Sequence, residues 1–120
     1  MLRARRGTII NVSSVAGKRG WANAAAYCAS KFGLSGLTQA LAAEARDSGV
    51  RVCAVYPGAM ATNWGVWSAD ERPGAASSPV PTDALPPADV AALTVWIASA
   101  PPEVVLNEAI VTPLQERGWP

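Results

Sequence analysis

The 120-residue sequence contains no histidine, which excludes catalytic arrangements that need an imidazole base, such as Ser-His-Asp triads and Cys-His dyads. Cysteine is also scarce. Cys28 and Cys53 are too few for a disulfide framework and lack the spacing of metal ligands. One falls in a predicted helix and the other in a predicted strand, so we expect both to be small, buried, apolar residues, and we expect no metal site.

Charge is sparse and balanced. Charged residues make up 16% of the chain, and ten basic side chains against nine acidic ones give a net charge of +1, which favours neither nucleic acid nor disorder. No apolar run reaches the roughly 18 residues that a membrane span needs, and the run after Arg6 is too short for a secretory signal. We therefore expect one soluble domain over residues 1–120, with the cytoplasm as its default location.

The rest of the sequence alternates between strand and helix patterns. Runs of β-branched and apolar residues predict strands, and apolar residues at three- and four-residue intervals predict helices. In chain order these are strand 7–14, helix 24–47, strand 50–56, helix 87–100 and strand 108–112. This alternation predicts an α/β fold with a parallel sheet and right-handed crossovers, and the first strand reads as buried on both faces.

Two segments suggest surfaces for binding. The helix 24–47 carries Leu34, Leu37 and Leu41 at helical spacing, but its other positions are mostly alanine, glycine and serine. Such a helix permits close approach on more than one side, as between a sheet and a second subunit, although a crowded monomer core would look alike. Residues 63–86 are rich in proline and too long for a tight connection, which is typical of a lid or substrate loop.

Tyr27 and Lys31 stand four residues apart in the first predicted helix, so both side chains project from one face and the ammonium can lie near the phenol. Ser14 ends the preceding strand and could meet them there. A hydroxyl, a phenol and an amine that converge suggest proton transfer. The residues alone favour the alternative, a half-buried aromatic and a solvated lysine. Asn23 is predicted to cap the helix rather than to act in catalysis.

Three ordered motifs resemble the short-chain dehydrogenase/reductase family: N-V-S-S-V-A-G, then Y-C-A-S-K, then V-Y-P-G-A-M-A-T. The family pattern is a serine, a Tyr-x-x-x-Lys pair thirteen residues on, and a Pro-Gly followed by threonine, and Ser14, Tyr27 and Thr62 stand at these spacings. The late segments P-P-A-D-V-A-A-L-T-V-W-I-A-S and N-E-A-I-V-T-P are similar to NADP-dependent members that act on 3-hydroxy acids. The resemblance implies a Rossmann-type doubly wound parallel sheet, here in part, with three strands.

The resemblance also implies an NAD(P)-dependent oxidoreductase that interconverts an alcohol and a carbonyl by hydride transfer with a Ser-Tyr-Lys proton relay. Tyr27 would be the general acid/base, Lys31 would favour its phenolate and bind the nicotinamide ribose, and Ser14 would hold the substrate oxygen. Ser13 is the rival for that last role, because adjacent strand residues face opposite ways. The implied cofactor-binding residues are Tyr27, Lys31, Pro57, Gly58 and Thr62, and the implied substrate-binding residues are Ser14, Trp64 and Trp67, the tryptophans having loop packing as their alternative.

One part of the family pattern has no counterpart. The opening strand, glycine-rich turn and helix that bind the pyrophosphate are absent from the sequence, and Met1–Gly7 resembles the helix end and loop before the serine strand. The chain is therefore expected to be the C-terminal half of such an enzyme, with NADP favoured over NAD and a homodimer or homotetramer formed through the helix 24–47. The alternative is a non-catalytic remnant that acts as a dimerising structural or interaction module. Neither nucleic acid nor membrane is an expected partner.

Overall fold

A computed structural model describes residues 1–62 and 83–116. These residues form a three-stranded parallel sheet with two α-helices, in the predicted order, so the α/β fold is confirmed. Short 3₁₀ turns at Val15–Gly17 and Arg46–Ser48 flank the first helix. The elements are β1 (Gly7–Val12), α1 (Ala25–Ala45), β2 (Val50–Pro57), α2 (Pro87–Ser99) and β3 (Glu108–Val111).

β2 is the central and most buried strand. It pairs in parallel with β1 on one side and β3 on the other, and every residue except Arg51 is buried. This fits its apolar, β-branched sequence, which suits a strand with partners on both edges and helices on both faces. Arg51 instead reaches the end of α2 and donates to the carbonyl oxygens of Ala98 and Ala100 at 3.1 and 2.9 Å, where a cation complements the helix dipole.

The two helices cover opposite faces of the sheet. Val50 and Val52 pack with Ala45 of α1, whereas Cys53 and Val55 pack on the other face. Neighbouring residues of one strand thus enter two separate cores, as the two-residue period of a strand requires. The partners of Cys53 and Val55 are Val90 and Ile97, which are seven residues apart and so lie on one face of α2.

β1 differs from the sequence prediction in length and burial. It ends at Val12 rather than Ser14, its side chains are only half-buried, and Val12 is 52% exposed. The reason is position: among the described residues β1 pairs only with β2 and lies at the edge of the sheet. An apolar run reports the tendency of a strand to be buried, but it does not show whether a neighbouring strand is present.

α1 also differs in detail. It is shorter than predicted and ends in a 3₁₀ turn that Gly49 closes in the left-handed conformation, φ +65°. Leu37, one of the three leucines at helical spacing, is 52% exposed, and the buried positions are small or polar, Ser35 and Thr38 among them. Small side chains let the helix lie close to its neighbours. Asn23 does not cap α1, because Ala24 precedes the first turn and no side chain bonds there.

The predicted substrate loop, residues 63–86, lies outside the described residues except for its last four. Trp64 and Trp67 are among the residues that are not described. The described end of the loop returns to the sheet. Leu85 forms a parallel bridge with Met60, and its amide donates to the carbonyl of Ala59 at 2.9 Å. The chain therefore leaves and rejoins the sheet at the carboxyl end of β2.

Candidate active site

The candidate residues gather where β1 and β2 end. Both strands run in the same direction with Val12 opposite Val55, and the amide of Ser13 extends the pairing by donating to the carbonyl of Val55 at 2.7 Å. Ser14 follows at this edge, and Gly58 follows the last residue of β2. The carboxyl ends of parallel strands are where open α/β sheets bind their ligands.

Lys31 is held on α1 by its backbone and turned toward the sheet by its side chain. Its carbonyl oxygen accepts from the hydroxyls of Ser35 at 3.0 Å and Ser13 at 3.3 Å. Its Nζ donates to the carbonyl of Val12 at 3.3 Å and lies 5.8 Å from the centre of the Tyr27 ring. The ammonium is therefore bound to the end of β1, on the same side of α1 as the Tyr27 ring.

Tyr27 is half-buried one helical turn before Lys31. The Ser30 hydroxyl donates to its carbonyl at 2.7 Å, and its ring lies 6.4 Å from that of Trp21, tilted by 55°. Trp21 belongs to the segment between Ser14 and α1, so this segment folds back beside the phenol. The sequence analysis did not identify Trp21, because no local pattern indicates where a loop side chain will pack.

The two adjacent serines have different surroundings. Ser14 adopts an extended backbone, φ −166° and ψ 163°, and its Oγ accepts from the amide of Ala16 at 3.1 Å, which caps the 3₁₀ turn. A hydroxyl that accepts one bond still carries a proton to donate. Ser13 is only 5% exposed, and its hydroxyl donates to the carbonyl of Lys31. Ser13 thus fastens α1 to β1, while Ser14 stands half-buried at the sheet edge.

Gly17 allows the 3₁₀ turn to press against α1. A Cβ on Gly17 would lie 2.7 Å from Ser13 Oγ, 2.8 Å from the carbonyl oxygen of Lys31 and 2.9 Å from Ser35 Oγ. The Ser35 hydroxyl also lies 3.2 Å from the carbonyl oxygen of Gly17. This close packing sets where Ser14 lies relative to α1. Sequence reasoning missed it, because a glycine in a loop gives no sign of what it touches.

The turn after β2 is tied to β3 and to the segment that follows. The amide of Gly58 donates to the carbonyl of Val111 at 2.8 Å, and the amide of Ala59 donates to Glu116 Oε2 at 3.1 Å. Thr62 follows a tight bend in which its amide donates to the carbonyl of Met60 at 2.8 Å. Pro57, Gly58 and Thr62 therefore lie along one short path at the carboxyl edge.

A charged cluster braces the segment after Ser14 against β3. Lys18 Nζ lies 2.6 Å from Glu108 Oε2 and 4.4 Å from the centre of the buried Tyr56 ring, while the Tyr56 hydroxyl donates to Glu108 Oε1 at 3.3 Å. The hydrogen bond from Lys18 lowers the pKa of Glu108 against an opposing effect of burial. Burial by itself lowers the pKa of Lys18, but the hydrogen bond to Glu108 and the nearby charges outweigh it and raise that pKa.

Among residues 1–62 and 83–116, no group of three histidine, cysteine, aspartate or glutamate side chains is placed to hold a metal ion. No helix in this part of the chain is long and apolar enough to cross a membrane. Cys28 and Cys53 are buried free thiols, as predicted.

Comparison with known proteins places this arrangement in context. The chain is 35% identical over 111 residues to the 3-oxoacyl-(acyl-carrier-protein) reductase FabG of Vibrio cholerae, covering 92% of this chain and 46% of that protein. It is 48% identical over 62 residues, 52% of this chain and 27% of the relative, to the inactive 2-(S)-hydroxypropyl-CoM dehydrogenase 2 of Xanthobacter autotrophicus. The chain thus spans less than half the length of these relatives.

The fold comparison agrees. The crystal structure of a 3-oxoacyl-(acyl-carrier-protein) reductase with bound NAD from Brucella melitensis superimposes with a TM-score of 0.70 at 32% identity, covering 93% of this chain and 42% of that structure. The sheet is therefore part of a Rossmann-type fold, as the resemblance implied. A sequence profile described as short chain dehydrogenase matches residues 1–72, more than half of the chain. The chain belongs to the short-chain dehydrogenase family.

Proposed function

We propose that this chain is the catalytic portion of an NAD(P)-dependent oxidoreductase that interconverts an alcohol and a carbonyl, and that it corresponds to the C-terminal half of its relatives. One observation carries the proposal: the Lys31 ammonium lies 5.8 Å from the Tyr27 ring at the sheet edge where Ser14 stands. The cytoplasm, where the free thiols of Cys28 and Cys53 would stay reduced, is its proposed location.

The residues at this edge fit the nicotinamide end of such a cofactor. An ammonium has three donors, so Lys31 can bind ribose hydroxyls while it retains its bond to the carbonyl of Val12. Gly58, Ala59 and Ala61 have small side chains or none, and Met60 between them packs on the hydrophobic core. No glycine-rich turn for the pyrophosphate stands in the sequence, so no residue here is assigned to the adenosine end. We favour NADP over NAD.

The cofactor, when bound, supplies or accepts the hydride. During carbonyl reduction the Tyr27 hydroxyl donates its proton to the substrate oxygen, and Ser14 holds that oxygen with the proton of its own hydroxyl. The Lys31 ammonium stabilises the phenolate that remains on Tyr27. Alcohol oxidation runs the same steps in reverse, with Tyr27 as the base.

The proposed substrate is a small molecule of the 3-hydroxy acid or 3-oxo acid class. The late segments of the sequence support this class, and so does the name of the Vibrio cholerae relative, a 3-oxoacyl reductase. Trp64 and Trp67 remain proposed substrate contacts, at positions outside the described residues.

The chain contains two tyrosines and two lysines. Tyr56 and Lys18 can therefore serve as control positions for Tyr27 and Lys31 in the same experiment. The chain would be joined to the part of the Vibrio cholerae relative that it does not match, and NADPH or NADH oxidation followed with a panel of 3-oxo esters. We expect Tyr27→Phe or Lys31→Ala to lower kcat by about 100-fold or more.

The controls Tyr56→Phe and Lys18→Ala should retain turnover within about threefold, because they alter the brace at Glu108 and not the proposed proton path. The 120-residue chain alone should give negligible turnover. Retention of kcat by the joined Tyr27→Phe protein would contradict the proposed function.

The second candidate is a non-catalytic module that dimerises through α1. The outward face of α1 supports it: Phe32 and Leu37 are 46% and 52% exposed, and apart from the neighbouring backbone of α1 no atom of the described residues lies within 4 Å of a Cβ built on Gly33 or Gly36. One relative is itself named inactive. A homodimer or homotetramer through α1 is proposed under either function, so joined proteins that associate but never turn over would favour the module.

A further inference from the structure

Glu116 folds back from the end of β3 onto the turn after β2. Its side chain is 16% exposed, and its Oε2 accepts from the Ala59 amide at 3.1 Å. The carboxylate lies so close to Gly58 that a Cβ on that residue would be 2.8 Å from Oε2. The turn is thus held from the β3 side by a backbone bond from Gly58 to Val111 and by this charge-assisted bond.

The other carboxylate oxygen faces the segment between Ser14 and α1. Glu116 Oε1 lies 3.9 Å from Arg19 Nη2, and the Arg19 guanidinium lies 5.9 Å from the centre of the Trp21 ring. Trp21 in turn lies 6.4 Å from the Tyr27 ring. One carboxylate therefore binds the Ala59 amide and forms a long ion pair with Arg19, whose guanidinium lies near the aromatic neighbour of Tyr27.

We propose that Glu116 is a positioning residue that couples the nicotinamide turn, Pro57 to Ala59, to the Trp21 segment beside Tyr27. The inference rests on the proposed function only for the identity of the site. A carboxylate suits this role because its two oxygens can bind an amide donor and a guanidinium together. Removal of the carboxylate would shift the turn and the Trp21 segment slightly, and a small displacement of groups beside the reacting atoms can slow catalysis strongly.

The coupling is tested first on the 120-residue chain without cofactor. With 5-fluorotryptophan incorporated, ¹⁹F NMR reports on Trp21, assigned by Trp21→Phe, while ¹⁵N spectra report on the Ala59 amide. Glu116→Ala should shift both signals. Glu116→Gln keeps an oxygen for Ala59 but loses the charge for Arg19, so it should shift Trp21 and largely spare Ala59. The exposed Glu103→Ala is the control and should shift neither. A Trp21 signal unmoved by Glu116→Ala overturns the coupling.

The second measurement uses the joined protein described above. We expect Glu116→Ala to raise KM for the nicotinamide cofactor about tenfold, because the turn loses the hydrogen bond from the Ala59 amide to a charged group. Glu116→Gln keeps an oxygen for that amide and should recover most of the loss. A residue that only stabilises the fold would leave KM unchanged below the unfolding temperature, so an unchanged KM in Glu116→Ala refutes the positioning role. If Tyr27→Phe retains turnover, the proposed function fails instead, and the NMR result alone decides the coupling.

Discussion

Gly17→Ala tests the packing that sets Ser14 against α1. The added methyl group would meet two hydroxyl oxygens, of Ser13 and Ser35, and the carbonyl oxygen of Lys31, all within 2.9 Å. The hydroxyls can rotate away, at the cost of their bonds to α1 and to Gly17, but the carbonyl is fixed in a helix. Overpacking costs about 1–3 kcal/mol and each net hydrogen bond about 1 kcal/mol. Alanine returns about 0.4–1 kcal/mol through the unfolded chain, which leaves a loss of roughly 2–5 kcal/mol when both hydroxyl bonds are lost.

Urea unfolding followed by far-ultraviolet circular dichroism gives this free energy directly, and an unchanged m-value would show that the substitution does not alter the surface exposed on unfolding. The controls are Gly33→Ala and Gly36→Ala, inside α1, where a Cβ has open space around it. Both should stabilise the helix by about 0.5–1 kcal/mol, opposite in sign to Gly17→Ala. Dilute samples keep any association through α1 out of the comparison. A Gly17→Ala protein within about 0.5 kcal/mol of wild type would refute the packing argument.

Three further predictions follow from the charged cluster, the outward face of α1 and the buried thiols. Glu108→Gln should lower the free energy of unfolding at pH 7 by up to about 1 kcal/mol. Because the hydrogen bond from Lys18 lowers the pKa of Glu108, this contribution is full above its ordinary value of 4.5 and disappears as pH falls through the folded value. Urea midpoints that stay apart at the lowest pH would contradict it. Leu37→Asp should lower the sedimentation mass to that of a monomer, whereas Val95→Asp, on the exposed side of α2, should not; equal masses would exclude the α1 interface. Burial, with a smaller effect of the Glu108 charge, raises the pKa of the Cys53 thiol, so in a Cys28→Ala chain it should react with a disulfide reagent only as fast as the protein unfolds.

The features that the sequence predicted well are those encoded locally. The order of strands and helices follows from hydrophobic period, and the stripe of Val90, Leu93 and Ile97 on α2 follows from helical spacing. The approach of Lys31 to the Tyr27 ring likewise needs only an intact turn of helix, since residues four apart share a face. Each of these depends on a few neighbouring residues and on no distant part of the chain.

The features that could not be predicted join distant parts of the chain. Lys18 and Glu108 are 90 residues apart, and Ala59 and Glu116 are 57 residues apart, so no local pattern connects them. The exposure of Leu37 had the same cause: the stripe that packs on a sheet depends on how close the helix lies. Small residues form the closest contacts of α1, with Ser35 buried against Gly17, and of the three leucines Leu41 packs against the core beside Ala45.

The candidate catalytic residues differ in whether local or distant contacts hold them, so different substitutions should displace each of them. The pair Tyr27 and Lys31 is fixed within one helix, so a perturbation that leaves α1 folded leaves the ammonium near the phenol. Ser14 is positioned instead by the end of β1 and by the packing of the 3₁₀ turn against α1 at Gly17. A substitution that disturbs this contact should therefore weaken the hydrogen bond from Ser14 to the substrate oxygen, and leave proton transfer by Tyr27 and Lys31 unchanged. In the joined protein, Gly17→Ala should raise KM for the carbonyl substrate while the pH dependence of kcat stays as in the wild type. A changed pH profile with an unchanged KM would show that Ser14 and the Tyr27–Lys31 pair do not separate in this way.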